Sequence, residues 1–394
     1  MKKLVILING LRYGGMERVA FIMKELLSKD FEITIVTQFQ NNSEYEIKSE
    51  YYNLNVSTSF NKFANFFKIT FIKRLIKCIK MKKELKPDYV FSLGMYSNYL
   101  NVFSNFFMFR KPKIITGIRS YDWLTIPFIN KKLDKFVMNK FDYISSVSKL
   151  IALDAEKYWN IPLQNNYVIY NPYNINYIEK KSYEKVDDFE FDKDCFYLIT
   201  IGRLVDQKGF NHLIRVVSEV IDINPKIKLL ILGTGPQRDK IFNMIKDYKK
   251  EKDIFLLGGK KNPYKYIKHC NLYILSSHYE GFPNALCEAM CVGIPVISVN
   301  CKSGPSEILV DKNDINYNND DYYIGNYGII TKEMNIDYQY DIKKLSESEK
   351  SLKKAIIYCY NNKNIIRNIS KKAKKHMNIF SDIEFINKFK KMIN

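Results

Sequence analysis

The chain has no Cys-x-x-Cys pair, no glycine-rich dinucleotide fingerprint and no apolar run of membrane-spanning length. Each absence removes a class of protein. Its seven cysteines are scattered through 394 residues, and the nearest two, Cys287 and Cys291, stand at helical spacing. An odd, unpaired set fits a reducing compartment and argues against a disulfide framework. A zinc site needs clustered ligands, and the sequence offers none, so no metal is expected. A spanning helix requires ~20 consecutive apolar residues. The run at 4–8 is too short for a signal-peptide core and is followed by Asn9-Gly10. A Gly-x-Gly-x-x-Gly turn is missing after the first strand. The turn Gly233-Thr234-Gly235-Pro236 has Arg238 where a third glycine belongs, which excludes NAD. Histidine is scarce too: His212, His269, His278 and His376 all lie in the second half.

What the chain has is positive charge and enough apolar residues for real cores. The formal net charge is +20 and 46% of residues are hydrophobic. Residues 1–172 carry 26 Lys and Arg against 14 Asp and Glu. The densest stretch is 62–86, with nine basic residues and one Glu among Phe and Ile positions. Two readings of it stand side by side. One is a helix that docks on anionic lipid; the other is an ordinary domain helix with a solvated basic face. Nucleic acid is not expected, because no aromatic platform, zinc finger or reading helix accompanies the charge.

Short apolar strands alternate with helical stretches, the pattern of α/β domains built on parallel sheets. Strands are predicted at 5–8, 33–37, 89–93, 114–116, 143–147 and 168–170, then at 197–201, 229–232, 255–257, 272–275 and 296–299. The mixed-charge stretch between these two series predicts a linker. The resulting division is a first domain at 1–172, a linker at 173–195, a second domain at 196–375, and a C-terminal helix at 376–394 that packs back on the first domain. Residues 311–327 are Asn/Asp/Tyr-rich and predict a loop, and the tail from about 345 predicts basic helices.

The segment Ser276-Ser277-His278-Tyr279-Glu280-Gly281-Phe282-Pro283-Asn284 follows an apolar strand and leads into a helix that carries Glu288. Pro283 suits a helix start, since it has no N–H to leave unbonded there. Helix N-termini attract phosphate, and fixed carboxylates accept hydrogen bonds from hydroxyls. Anion plus polyol suggests a nucleotide sugar. Gly14-Gly15 lets backbone approach a ligand closely ahead of a helix, or simply makes a tight turn. Arg203 and Lys208 flank the end of the first strand of the second series, and such cations clamp phosphate oxygens. The single Asp-x-Asp triplet, Asp192-Lys193-Asp194, sits in the linker and is not read as a metal site. His278 is read as a loop residue and not as a base.

Together these segments resemble the retaining glycosyltransferases of family 4, with the GT-B fold. The likeness rests on Gly14-Gly15-x-Glu17, Asn171-Pro172, Gly202-Arg203-Leu204 with Lys208-Gly209, Leu232-Gly233-x-Gly235-Pro236, and the pair Glu280 and Glu288. Ser303-Gly304-Pro305-x-Glu307-Ile308 is similar to a segment of bacterial surface-glycan transferases. The resemblance implies two Rossmann-like doubly wound domains facing across a cleft. It implies that Gly14 and Gly15 face the donor diphosphate, that Arg203 and Lys208 hold it, and that backbone around Gly259 to Lys261 meets the base. Glu280, with Gly281, Phe282, Pro283 and Asn284, would hold the donor sugar and phosphate, and Glu288 the ribose. Arg203, Lys208 and Glu280 are the catalytic candidates; Glu17, Arg119, Asp122 and Asn171 are the acceptor-side ones. A surface loop explains Arg119 and Asp122 equally well.

The expected activity is metal-independent, retaining transfer of a hexose or N-acetylhexosamine from a UDP-sugar to a lipid-linked glycan, in bacterial surface polysaccharide synthesis. No cofactor beyond the donor is implied. The expected location is cytoplasmic, with peripheral attachment to the inner face of the plasma membrane. The alternatives are a UDP-sugar epimerase of the same fold and a non-catalytic binder of anionic lipid or polyanion.

Overall fold

Val, Ile and Leu dominate the strands because both faces of a covered parallel sheet are buried. The computed structural model describes residues 1–10, 15–38, 51–56, 64–120, 131–311 and 321–394, with no side chains at 15, 16 and 64–68. These residues form two units, Met1–Pro172 with Asp382–Asn394, and Tyr173–Ser381.

The strands of the first unit are β1 (Lys2–Ile8), β2 (Phe31–Thr37), β3 (Tyr52–Asn53), β4 (Tyr89–Leu93), β5 (Lys113–Ile118), β6 (Tyr143–Ser146) and β7 (Asn166–Val168). They lie in the order β3-β2-β1-β4-β5-β6-β7, all parallel. Alternation along β1 divides the core. Leu4, Ile6 and Ile8 pack against helices Gly15–Leu27 and Asp382–Ile393 on one face. Val5 and Leu7 pack against Ala64–Leu85, Met95–Phe106 and Lys131–Met138 on the other. The last helix is thus part of the first unit. Phe385, Phe389, Met392 and Ile393 share a core with Phe31, Tyr89 and Phe91.

The helix Ala64–Leu85 differs from a domain helix with a solvated basic face, because its outer face is mixed and two of its cations point inward. Arg74 and Lys82 are buried, whereas Ile69, Ile72 and Ile76 are exposed. Lys82 donates to the backbone oxygen of Asn101 at 2.8 Å and to its Oδ1 at 3.0 Å. Burial pulls its ammonium down to about 8. Its long stem reaches into the helix pair and ends on amide oxygens, a partner set that pattern reading does not see.

The second unit holds β8 (Phe196–Ile201), β9 (Ile227–Leu232), β10 (Ile254–Gly258), β11 (Leu272–Leu275), β12 (Val296–Val299), β13 (Tyr322–Ile324) and β14 (Ile329–Thr331). Their order is β10-β9-β8-β11-β12-β14-β13, parallel except for β13. Helices Phe210–Ile223 and Glu347–Asn361 share its core. The stretch read as a linker is a working part of this unit. It carries the helix Ile175–Ser182, capped by Asn174, whose Oδ1 accepts from the Tyr177 N–H at 2.9 Å. Phe189 and Phe191 then pack edge-on against Tyr197. Too few apolar residues separate these anchors for a period to show. Asp192 of the Asp-x-Asp triplet holds a turn, accepting from the Asp194 N–H at 2.9 Å. The stretch read as a loop ends in the edge strand β13; residues 312–320 lie outside the described residues. Among the described residues no helix is long and apolar enough to cross a membrane.

Candidate active site at the carboxyl edge of the second sheet

Strand order in the second unit reverses at β8, whose neighbours are β9 and β11. At such a switch point the loops leave in opposite directions and open a crevice for a ligand. The loop after β8 carries Gly202, Arg203 and Lys208; the loop after β11 carries Ser276 to Pro283.

The two loops are laced together. The Ser276 hydroxyl donates to the Lys208 carbonyl at 2.9 Å, the His278 N–H to the Gln207 carbonyl at 2.8 Å, and the Gln207 amide to the Tyr279 carbonyl at 2.8 Å. Gly209 permits this closeness. Its φ is +61°, and a Cβ there would collide with the Ser276 carbonyl oxygen.

Lys208 and Glu280 meet directly. Lys208 Nζ stands 2.6 Å from Glu280 Oε1, and the Ser277 hydroxyl donates to the same oxygen at 2.6 Å. The Glu280 side chain is 8% exposed and that of Lys208 22%, so the pair is shielded yet reachable. The lysine stem runs over Gly202, close to where a Cβ would stand. Arg203, next in the chain, is exposed. The N–H of Glu280 donates to the Lys302 carbonyl, and the Ser303 hydroxyl donates to the Gly281 carbonyl at 3.2 Å. The Ser303-Gly304 turn therefore backs the Gly281-Phe282-Pro283 loop.

Helix Asn284–Val292 follows, with Pro283 at its cap. Glu288 is buried in it, and the Tyr173 hydroxyl donates to Asn284 Oδ1 at 2.7 Å. Tyr273, on β11, is buried, and burial, then the charges of Glu280 and Glu288, push its hydroxyl well up. One ring thus feels both carboxylates. At the next loop, β10 ends at Gly258. A Cβ at Gly259 would touch the Thr234 methyl at 3.3 Å, and Lys261 is exposed.

Behind the Glu280 loop lies a buried polar cluster. The Glu349 carboxylate is 2.8 Å from His212 Nδ1 and 3.0 Å from Arg215 Nη1. The His212 and His278 rings meet edge-on at 5.1 Å, and Tyr338 stands against His278 at 5.5 Å. Burial and the neighbouring His212 pull His278 down to about 4. His278 is neutral packing beneath the loop.

The acceptor-side candidates belong to the first unit. Arg119 and Asn171 meet at the carboxyl edge of its sheet: Arg119 Nη1 donates to the Ile169 carbonyl at 3.0 Å and to Asn171 Oδ1 at 3.3 Å. Burial draws the Arg119 guanidinium down to about 10. Gly15 opens the helix Gly15–Leu27, which carries Glu17. Gly14 and Asp122 lie outside the described residues. The bracing roles of Ser277 and Gln207 escaped sequence reading. Only Ser277 had a signal there, a hydroxyl three residues before the acid.

Residues 182–322 match the model of the glycosyl transferases group 1 family. An uncharacterized glycosyltransferase of Methanocaldococcus jannaschii is 32% identical over 302 residues, covering 73% of this chain and 74% of the relative. The chain belongs to this glycosyltransferase family. A second relative of this glycosyltransferase is an N-acetylgalactosamine-N,N'-diacetylbacillosaminyl-diphospho-undecaprenol 4-alpha-N-acetylgalactosaminyltransferase from Campylobacter jejuni. It is 29% identical over 318 residues, 79% of this chain and 84% of the relative. The glycosyltransferase also superposes on the crystal structure of Anabaena HepE, solved with UDP and glucose. The TM-score is 0.77 at 13% identity, over 100% of this chain and 99% of that one. Two Rossmann-like parallel-sheet units in a glycosyltransferase make this the GT-B architecture.

Proposed function

We propose that this glycosyltransferase moves a hexose or N-acetylhexosamine from a UDP-sugar to a lipid-linked glycan during bacterial surface polysaccharide synthesis, with retention at the anomeric carbon and without a metal. The observation that carries the reading is the shielded Lys208–Glu280 pair at the switch point. Both bonds to Glu280 converge on Oε1, which leaves Oε2 to accept from a sugar hydroxyl. Lys208 keeps N–H donors for a diphosphate oxygen, and exposed Arg203 adds a second cation. Glu288 takes the ribose hydroxyls, and Gly259 with Lys261 the base. The relative that extends a diphospho-undecaprenol glycan and the neighbour solved with UDP support the choice of acceptor and donor.

In the step itself the bond between C1 and the phosphate oxygen breaks, and a bond from C1 to the acceptor oxygen forms on the same face. The acceptor proton passes to the departing phosphate oxygen, so UDP leaves. Positive charge grows on the sugar and negative charge on the diphosphate. Lys208 and Arg203 are placed for the second, where fixed cations act chiefly in the transition state. Arg119 and Asn171 are assigned to the acceptor side.

The test is a screen of the purified protein against UDP-sugars with a diphosphoprenol-linked acceptor, reading product by mass and anomeric configuration by NMR. Product with inverted configuration refutes retention, and no product from any UDP-sugar refutes the donor. Turnover is expected to persist in chelator; its loss and recovery on adding manganese would require a metal.

A further inference from the structure

We infer that the segment 181–188 braces the nucleobase end of the donor site, with Asp188 and Asn262 as positioning residues that fix the loop 259–262 for the uracil ring. This deepens the proposed donor site and rests on the reading that backbone around Gly259 to Lys261 meets the base. The loop needs support from outside its own strand. Pairing of β10 with β9 slips in register between Leu256 and Gly258, and Gly258 turns at a φ of +72°. The Gly258 carbonyl still accepts from the Gly233 N–H at 2.9 Å, and past it the chain leaves the sheet. The helix Tyr264–His269 begins a few residues on. Between the two, the side chains decide where the backbone stands.

Those side chains reach the stretch that sequence reading took for a linker. Lys260 Nζ stands 2.5 Å from Asp188 Oδ2, and the Tyr266 hydroxyl donates to Asp188 Oδ1. Both carboxylate oxygens are thus used, and Lys260, then Tyr266, hold the Asp188 carboxyl below the usual carboxylate range. The Asn262 amide donates to the Lys181 carbonyl and to Glu184 Oε2, each at 2.8 Å, and its Oδ1 accepts from the Tyr264 N–H at 3.1 Å. Lys265 Nζ donates to the Lys185 carbonyl at 2.6 Å. A lone ion pair with a partner as exposed as Asp188, at 49%, contributes little. Here five bonds tie one short segment to another. The brace is itself anchored. Helix Ile175–Ser182 leads into it, and Phe189, next to Asp188, packs edge-on at 5.1 Å against Phe255 of β10. Loop and brace are therefore fixed to one sheet. A loop already held in its binding shape spares the cost of ordering it when the ligand arrives. The loops that carry Lys208 and Glu280 have their own lacing and do not draw on these bonds.

The experiment is UDP titration calorimetry with amide hydrogen exchange, read by mass spectrometry, on the full chain and on Asp188→Ala, Asn262→Ala and Asp188→Asn. Without ligand, both alanine variants should exchange 259–262 at least about tenfold faster than the wild type, because lost ties raise the open population. UDP should bind each of them about tenfold more weakly. With UDP at saturation, 276–284 should stay as protected as in the wild type. Asp188→Asn keeps an acceptor for Tyr266 and Lys260 and should recover most of the affinity. Melting temperatures should fall by no more than about 4 °C. Unchanged exchange at 259–262, or unchanged UDP affinity, in both alanine variants overturns the inference. So does lost protection at 276–284 together with a larger fall in melting temperature, which would make the segment a general support of the unit. Failure of the base reading has its own signature. UDP then protects 276–284 of the wild type but not 259–262, and the inference falls with it.

Discussion

Lys208 and Glu280 share one short contact, 2.6 Å, in a site that is neither dry nor open. A cation so placed is worth most when charge develops on a leaving group. Lys208→Ala should therefore lower kcat about a hundredfold or more, measured by UDP release with saturating donor; a near-normal rate would remove its assigned role. His278 makes a different prediction. Its folded value of about 4 lies below the ordinary 6.5, so the unfolded chain binds a proton that the fold rejects. Stability is whole above the unfolded value and falls as pH drops from about 6.5 to 4. In urea titrations across that window, His278→Phe should flatten the loss, even with His212, Glu349 and Asp337 packed nearby. The acids and Lys208 were legible in the sequence because their chemistry is carried by residue type and order. The His212–Glu349–Arg215 cluster was not, because burial, which the sequence does not display, creates its role.

Among the elements, the strands at 89–93, 272–275 and 296–299 were readable to the residue because buried parallel strands are unbroken apolar runs. The helix Ile175–Ser182 was hidden, since only Ile178 and Ser182 of it are buried. It is held by its cap and by Asn262, whose amide donates to the Lys181 carbonyl at 2.8 Å. The loop after β8 depends on one glycine. Gly209→Ala forces a positive φ on an L-residue and drives its methyl into the Ser276 carbonyl. A loss of about 1–3 kcal/mol is expected by denaturant unfolding, with kcat falling as well, because the loops that hold Lys208 and Glu280 part. A substitution that cost stability alone would show that the lacing does not position the pair.

For the whole molecule, the chain order and the order of the cores disagree. Removing residues 382–394 takes Phe385, Phe389, Met392 and Ile393 out of the first unit. Large-to-nothing changes at several core positions exceed ordinary domain stability. The truncated protein should therefore lose protease resistance in residues 1–172 while Tyr173–Ser381 stays resistant. Resistance of both would mean that the terminal helix is dispensable.

That arrangement also sets a timetable for birth. At about 5–20 residues per second a ribosome needs on the order of ten to forty seconds to emit residues 173–381. Throughout that wait Phe31, Tyr89 and Phe91 have emerged, but the aromatic wedge that caps them has not been translated. The earliest-made half is thus the last to close, with the part of its core that the final helix covers left open until then.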